Sequence, residues 1–169
     1  MLDALAAPRA PELGDDAELD RWLREHALAW ARKAGGGAPP LELTSADALA
    51  GALDGYGGPL ILVAPDVPAL GDHHLDAARD DLAAGVLLSS AATGDGTPFL
   101  MVLSAADPEL LSAVGASFND VLSLAAARGG ELGMIRAERR LSTPGDVRAL
   151  VVDPLTPPAL RALLPGGPA

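Results

Sequence analysis

The chain has 169 residues, 49% of them apolar but only 3% aromatic, and a formal net charge of −11 at pH 7. The length suits one domain with an aliphatic core, and the acidic balance argues against nucleic acid or an anionic membrane as a partner, because phosphate contacts need clustered Lys and Arg. The absence of cysteine excludes disulfides and thiolate-bound metals, no apolar run approaches the roughly 20 residues of a membrane span, and nothing at the start reads as a signal peptide; a cytoplasmic α/β protein is expected.

Residues 1–40 read as an N-terminal helix followed by a Pro/Gly linker, and 41–169 as the main domain. Pro8, Pro11 and Gly14 make the first residues loose. Asp15-Asp16-Ala17-Glu18 opens a helix running to about Lys33, with Leu19, Trp22, Leu23 and Trp30 as its core stripe and His26 as a surface residue. Gly35-Gly36-Gly37-Ala38-Pro39-Pro40 is a linker and not a phosphate loop, since a helix precedes it and two prolines follow. A short strand is expected at 41–43, and a helix capped by Thr44 or Ser45 through about Leu53.

The stretch Gly58 to Leu70 reads as a buried strand ending in a Pro65-Asp66-Val67-Pro68 turn. A helix over 73–83 follows, with Asp72 as its N-cap. Strands are expected at 86–88, 99–103 and 131–137. Helices are expected from Pro108 to about Val114, from Phe118 to Arg128 with Ser117 as cap, from Pro144 to Leu150, and after Thr156-Pro157. Alternating strands and helices predict a mainly parallel sheet.

Ligand chemistry in such sheets gathers at the carboxyl ends of the strands, where Asp66 falls. Asp66, the loop Gly94 to Thr97 and the loop Gly115 to Ser117 are expected on one face, a carboxylate with Gly-rich backbone and hydroxyl donors suited to metal-assisted phosphate binding. Each of these loops alone also reads as an ordinary turn or cap. His73 and His74, flanked by Asp72 and Asp76, are expected on different helix faces and therefore not to share an ion. Ser89-Ser90 has no histidine at a spacing that supports a hydrolase triad.

Together these loops resemble a family. Pro59 to Leu70 looks like the strand and Asp-x-Pro turn of GT-A-type nucleotide-dependent transferases. Gly96-Thr97-Pro98-Phe99-Leu100-Met101-Val102 is similar to the Gly-Thr loop and strand of the 2-phospho-L-lactate guanylyltransferases of coenzyme F420 biosynthesis. Ser117-Phe118, Leu122, Ala125, Arg128 and Gly129 fit the spacing of that family's next helix. Arg139 to Val147 resembles its closing Arg, Asp-x-Asp-Thr-Pro-x-Asp-Leu motif, so the likeness runs from about Gly57 to Leu150. Related GT-A glycosyltransferases have an Asp-Gly-Gly loop where this chain has Asp95-Gly96-Thr97.

The resemblance implies a Rossmann-like GT-A three-layer sandwich over 41–169, lacking the first βα unit. It implies Mg2+ on Asp66, and substrate contacts from Gly96, Thr97, Ser117 and Arg140 to a phosphorylated small acid or a nucleotide. The departures fall in the chemistry. The family's metal-binding Asp-x-Asp is Arg140 and Ser142 here, its helix histidine is Val121, and its Gly-rich, Lys/Arg-bearing nucleotide loop is missing. Arg140 then places a guanidinium where a cation would sit. Three functions follow as expectations: a nucleotidyltransferase-like protein, a glycosyltransferase using a nucleotide-sugar donor, or a catalytically degenerate relative that binds a ligand or partner. A lost strand would leave a sheet edge to be covered by a second copy, a protein partner or the N-terminal helix.

Overall fold

In a computed structural model of the chain, residues 5–6, 10, 13, 16–94 and 96–166 are described. Most of the stretch expected to be loose at 1–14 lies outside them, as do Asp15 of the first capping signal and Asp95 of the Asp-Gly-Thr loop. Helix α1 (Ala17–Ala34) starts where Asp16 accepts from the N–H groups of Glu18 and Leu19. Then come α2 (Ala46–Ala52), β1 (Leu60–Val63), α3 (Asp72–Ala84), β2 (Leu88–Ala92) and β3 (Pro98–Leu103). The chain closes with α4 (Pro108–Leu111), α5 (Phe118–Ala127), β4 (Leu132–Met134), α6 (Pro144–Val152) and α7 (Pro158–Leu163).

The four strands form one sheet in the order β1-β3-β2-β4. β3 runs antiparallel to β1 and β2, whereas β2 and β4 are parallel. Three strands therefore share a direction and β3 is reversed, so the sheet is mixed where a mainly parallel one was expected. The cause is chain length: residues 93–97 join β2 to β3, and a connection that short makes a hairpin, a parallel crossover needing a dozen residues or more.

All six residues of β3 are buried, as befits the strand between two neighbours. Helices around the sheet complete the main core, which includes Trp30, Leu62, Leu75, Leu88, Phe99, Leu103 and Val121. Leu19 and Leu23 do not join Trp30 there; they form a second cluster with Leu141, Val147, Leu150 and Leu160. α1 thus spans two cores along one stripe, touching β1 near its end and α7 near its start. Beside the edge strand β1, α1 and residues 38–43 bound an apolar cavity of about 490 Å3. No helix among the described residues is long and apolar enough to cross a membrane.

Local chemistry moved some boundaries. Leu41 to Leu43 contributes a single bridge residue, Leu43, in place of a strand. β2 starts at Leu88, two residues later than expected, and α4 is one turn long. The N-cap of α3 is Gly71 and not Asp72, because His74 in the first turn supplies the cap acceptor: its Nδ1 takes the Gly71 N–H at 3.2 Å. Asp72 turns outward to Lys33 at 2.6 Å.

Candidate functional site

β1, β2 and β4 point their carboxyl ends the same way, and the segments leaving those ends carry the candidate site. After β1 the chain turns through Pro65-Asp66-Val67-Pro68, leaving Asp66 buried at 7% exposure. α1 pins the far end of this turn, where His26 Nε2 donates to the Leu70 carbonyl at 3.0 Å and Trp30 Nε1 donates to Gly71 at 2.9 Å. His26 is therefore half-buried and stacked on Trp22, with ring centroids 5.0 Å apart, where a surface residue was expected. Burial lowers its pKa, and the Leu70 carbonyl opposes part of that shift.

The segment between β4 and α6 closes over the turn. Leu141 N–H donates to the Asp66 carbonyl at 2.9 Å, which sets Arg140 against the Asp66 carboxylate. Arg140 Nε lies 2.9 Å from Oδ2 and Nη2 lies 3.0 Å from Oδ1. Both oxygens are engaged by one guanidinium, the planar two-point geometry that lysine cannot provide. Arg140 Nη2 also donates to the Leu5 carbonyl. Among the described residues its Nη1 has no hydrogen-bond partner, and Arg140 is 4% exposed.

Arg140 lines a cavity of about 540 Å3 together with Thr93, Gly94, Glu138, Arg139 and Asp146. That volume falls within the usual range for small-ligand pockets. Asp146 is held as an anion at its edge. Its Oδ2 accepts from Thr143 N–H and Oγ1, both at 2.8 Å, and from Ser142, while Arg139 approaches Oδ1 at 3.3 Å. Partial burial pushes the Asp146 pKa up, but the bonds from Thr143, Ser142 and Arg139 outweigh it and the net shift is downward.

The other expected residues sit on adjoining loops. Gly96 takes a left-handed φ of 82°, a conformation open to glycine, and donates to the Thr93 carbonyl at 2.9 Å. The Thr97 carbonyl accepts from Thr93 N–H and Oγ1. Phe118 N–H donates to the Gly96 carbonyl at 3.3 Å, joining this loop to the start of α5. There Ser117 caps the helix and its Oγ donates to the Asp120 carboxylate at 2.7 Å. So Asp66 and Arg140 come together in one place, and Gly96, Thr97 and Ser117 in another. Thr93, joined to Gly96 by one hydrogen bond and to Thr97 by two, links the second group to the Arg140 cavity.

Sequence reasoning missed Glu138, which carried no motif. The structure sets it beside His73 and His74: His73 Nε2 lies 3.3 Å and His74 Nε2 3.9 Å from Glu138 Oε1. The two rings are tilted with centroids 3.9 Å apart, contrary to the expectation that neighbouring histidines would diverge. His74 is fully buried. Burial, with His73 close by, pushes its pKa down to about 4, so the ring is neutral near pH 7.

No family model matches the chain, and no curated protein matches it. Among solved structures, a crystal structure from Desulfovibrio desulfuricans G20 named "putative nucleotide-diphospho-sugar transferase" is similar to it, with a TM-score of 0.65 and 14% sequence identity. The superposition covers 90% of this chain and 84% of that one. The chain thus shares the α/β, Rossmann-like fold of that structure.

Proposed function

We propose that this chain is a nucleotide-utilising transferase-like protein whose cavity at the strand ends takes the phosphate groups of its ligand, with Arg140 supplying the positive charge. The observation that carries the reading is the Asp66–Arg140 pair: a buried guanidinium, fixed by a carboxylate, lines the cavity and keeps Nη1 without a partner. Asp66 takes the Nε and Nη2 edge of the guanidinium, so Nη1 is the group left for a phosphate oxygen, and a side chain already oriented loses little freedom on binding. The fold supports the nucleotide-utilising part. The resemblance to 2-phospho-L-lactate guanylyltransferases supports a phosphorylated three-carbon acid as ligand, with Gly96, Thr97 and Ser117 on its rim.

Mg2+ on Asp66 remains the natural arrangement for an active transferase, yet the donor set as it stands does not fit that ion. Mg2+ wants oxygen ligands in an octahedron, whereas both Asp66 oxygens face a guanidinium and the closing pair is Arg140 and Ser142. We therefore assign the cation's place to Arg140, a reading that favours ligand binding by a catalytically degenerate relative over metal-dependent transfer to a nucleotide or from a nucleotide sugar.

Thermal shift and calorimetry with GTP, other nucleotides and phosphoenolpyruvate, each with and without Mg2+, test this. Ligand that binds only the native state raises its stability by RT ln(1 + [L]/Kd). The expected result is a Mg2+-independent shift that disappears in Arg140→Met, measured where that variant is folded. A shift requiring Mg2+ and lost in Asp66→Asn would restore the metal-dependent reading. No shift with any of these ligands would overturn both and turn attention to protein partners or self-association, beginning with the mass in solution.

A further inference from the structure

We infer that His73, His74 and Glu138 form a binding site for a borderline divalent metal ion of the Zn2+ class, separate from the Asp66–Arg140 pair. The ligand atoms of all three residues lie within 4.8 Å of one another. In a tetrahedral zinc site with bonds of about 2.0–2.2 Å, ligand atoms sit roughly 3.3–3.5 Å apart. His73 Nε2 to Glu138 Oε1, at 3.3 Å, already matches; His74 Nε2 to the same oxygen, at 3.9 Å, needs a small closure. With the His74 ring fully buried, that closure falls to the Glu138 carboxylate, 13% exposed, and His73, 46% exposed on its side chain, is free to follow it.

The three groups would make an ordinary surface ion pair were it not for His74. Its ring is completely buried against Phe99. Its Nδ1 accepts from Gly71 N–H, which places the proton of the neutral ring on Nε2. Among the described residues that Nε2 makes no hydrogen bond of ordinary geometry: Glu138 is 3.9 Å away, and the Arg136 backbone offsets only part of the effect of burial. A buried polar atom without a partner is uncommon and calls for a cause. An ion between His74, His73 and Glu138 supplies one.

The donor set selects the ion class. Two imidazoles and a carboxylate suit Zn2+ or neighbouring transition metals, whereas Mg2+ and Ca2+ prefer oxygen alone. Three protein ligands leave one coordination position open, as in zinc sites that accept an exogenous ligand. Glu138 also lines the Arg140 cavity, so the ion lies at that cavity's wall. Arg136 Nε approaches Glu138 Oε1 at 3.0 Å, but its side chain is 68% exposed and has solvent to move into.

Ligation through Nε2 has a structural consequence: the ring proton moves to Nδ1, and Gly71 N–H loses its acceptor. Metal loading is thus coupled to the cap of α3. The test uses tag-free protein, stripped with chelator, then titrated with Co2+ and Zn2+. The chain's three histidines limit competing sites, and the third, His26, is engaged with Leu70.

The expected result is one equivalent per chain, visible d–d bands of tetrahedral Co2+ displaced by Zn2+, and a metal-dependent shift of the Gly71 amide resonance. Affinity should fall roughly tenfold or more in both His73→Ala and Glu138→Gln, the size of effect seen when even outer-shell support is removed. These two groups are not fully buried, so both variants should keep the wild-type circular dichroism where His74→Ala could fail to fold. Undiminished affinity in either variant, or no saturable binding at millimolar metal, would overturn the assignment.

Discussion

Arg140 closes on Asp66 across 74 positions of sequence, with Nε 2.9 Å from Oδ2 and Nη2 3.0 Å from Oδ1, and both side chains are buried. Such a pair contributes little over an apolar substitute, but removing one member strands a charge out of water. Arg140→Met should therefore lower stability by about 3–5 kcal/mol, with Asp66→Asn acting in the same direction. The double variant should lose less than the sum of the two. Urea denaturation of all four proteins measures the coupling, and additivity would show that the contact contributes nothing.

If Arg140 occupies the place of a cation, restoring carboxylates should invite one back. Arg140→Asp combined with Ser142→Asp places three acidic groups where the resemblance expects metal ligands. Like charges close together repel, so this variant should be less stable than wild type in chelator and regain stability with Mg2+. Wild type should show no such gain. Melting curves with and without Mg2+ settle the matter, and an equal response of both proteins would mean that the closing segment is not the metal-binding segment of the resemblance.

Much of this framework was legible because it rests on local chemistry. Asp107, Ser117 and Thr143 cap their helices through the side-chain bonds that Asp-Pro, Ser-Phe and Thr-Pro announce. The turn bearing Asp66 falls at the end of β1 as its two prolines suggested. The reversal of β3 was readable in principle, from the shortness of 93–97, but alternation of strands and helices concealed it. Contacts between distant segments were not readable. Nothing in the spacing of His73 and Glu138 says that they meet, and His26 gains its partners only because α1 lies against Leu70. The cap of α3 was misplaced because a histidine, seldom a capping residue, does the work there.

Thr143 and Asp146 bind one another reciprocally at the start of α6, beside the cavity. Thr143→Ala should cost about 0.5–2 kcal/mol, the usual range for a lost N-cap. It also removes bonds that hold the Asp146 pKa down, so the carboxyl should titrate closer to its ordinary value of 3.8. A group depressed in the fold stabilises above its unfolded pKa and loses that contribution as pH falls through the folded value. The acid limb of the stability profile should accordingly be shallower in Thr143→Ala, which carboxyl NMR and urea melts can both check.

Gly133 lies opposite Ser89 where β4 runs beside β2. A Cβ added there would come within 2.8 Å of Ser89 Cβ and closer still to Ser89 Oγ. Ser89 Oγ can rotate away but its Cβ cannot, so backbone must move, and β4, a three-residue strand at the sheet edge, is the part that yields. Gly133→Ala should destabilise by about 1–3 kcal/mol, as overpacking does. The loss should fall on the adjoining 135–141 segment that carries Arg140, visible as faster amide exchange there than in β1 or β3. Uniform exchange across the sheet would show that β4 does not position that segment.

His26 gives the chain a pH response whose sign follows from its surroundings. Burial lowers its pKa, and the carbonyl of Leu70 only partly offsets this, so the folded state favours the neutral ring more than the unfolded chain does. The contribution is complete above the unfolded value of 6.5 and is lost as pH falls from there through the folded pKa. Unfolding free energy should therefore drop between pH 7 and pH 5, and less steeply in His26→Gln, which keeps a donor for Leu70 but cannot take a proton. A histidine NMR titration with a midpoint at or above 6.5 would contradict this directly, because the linkage would then vanish or change sign.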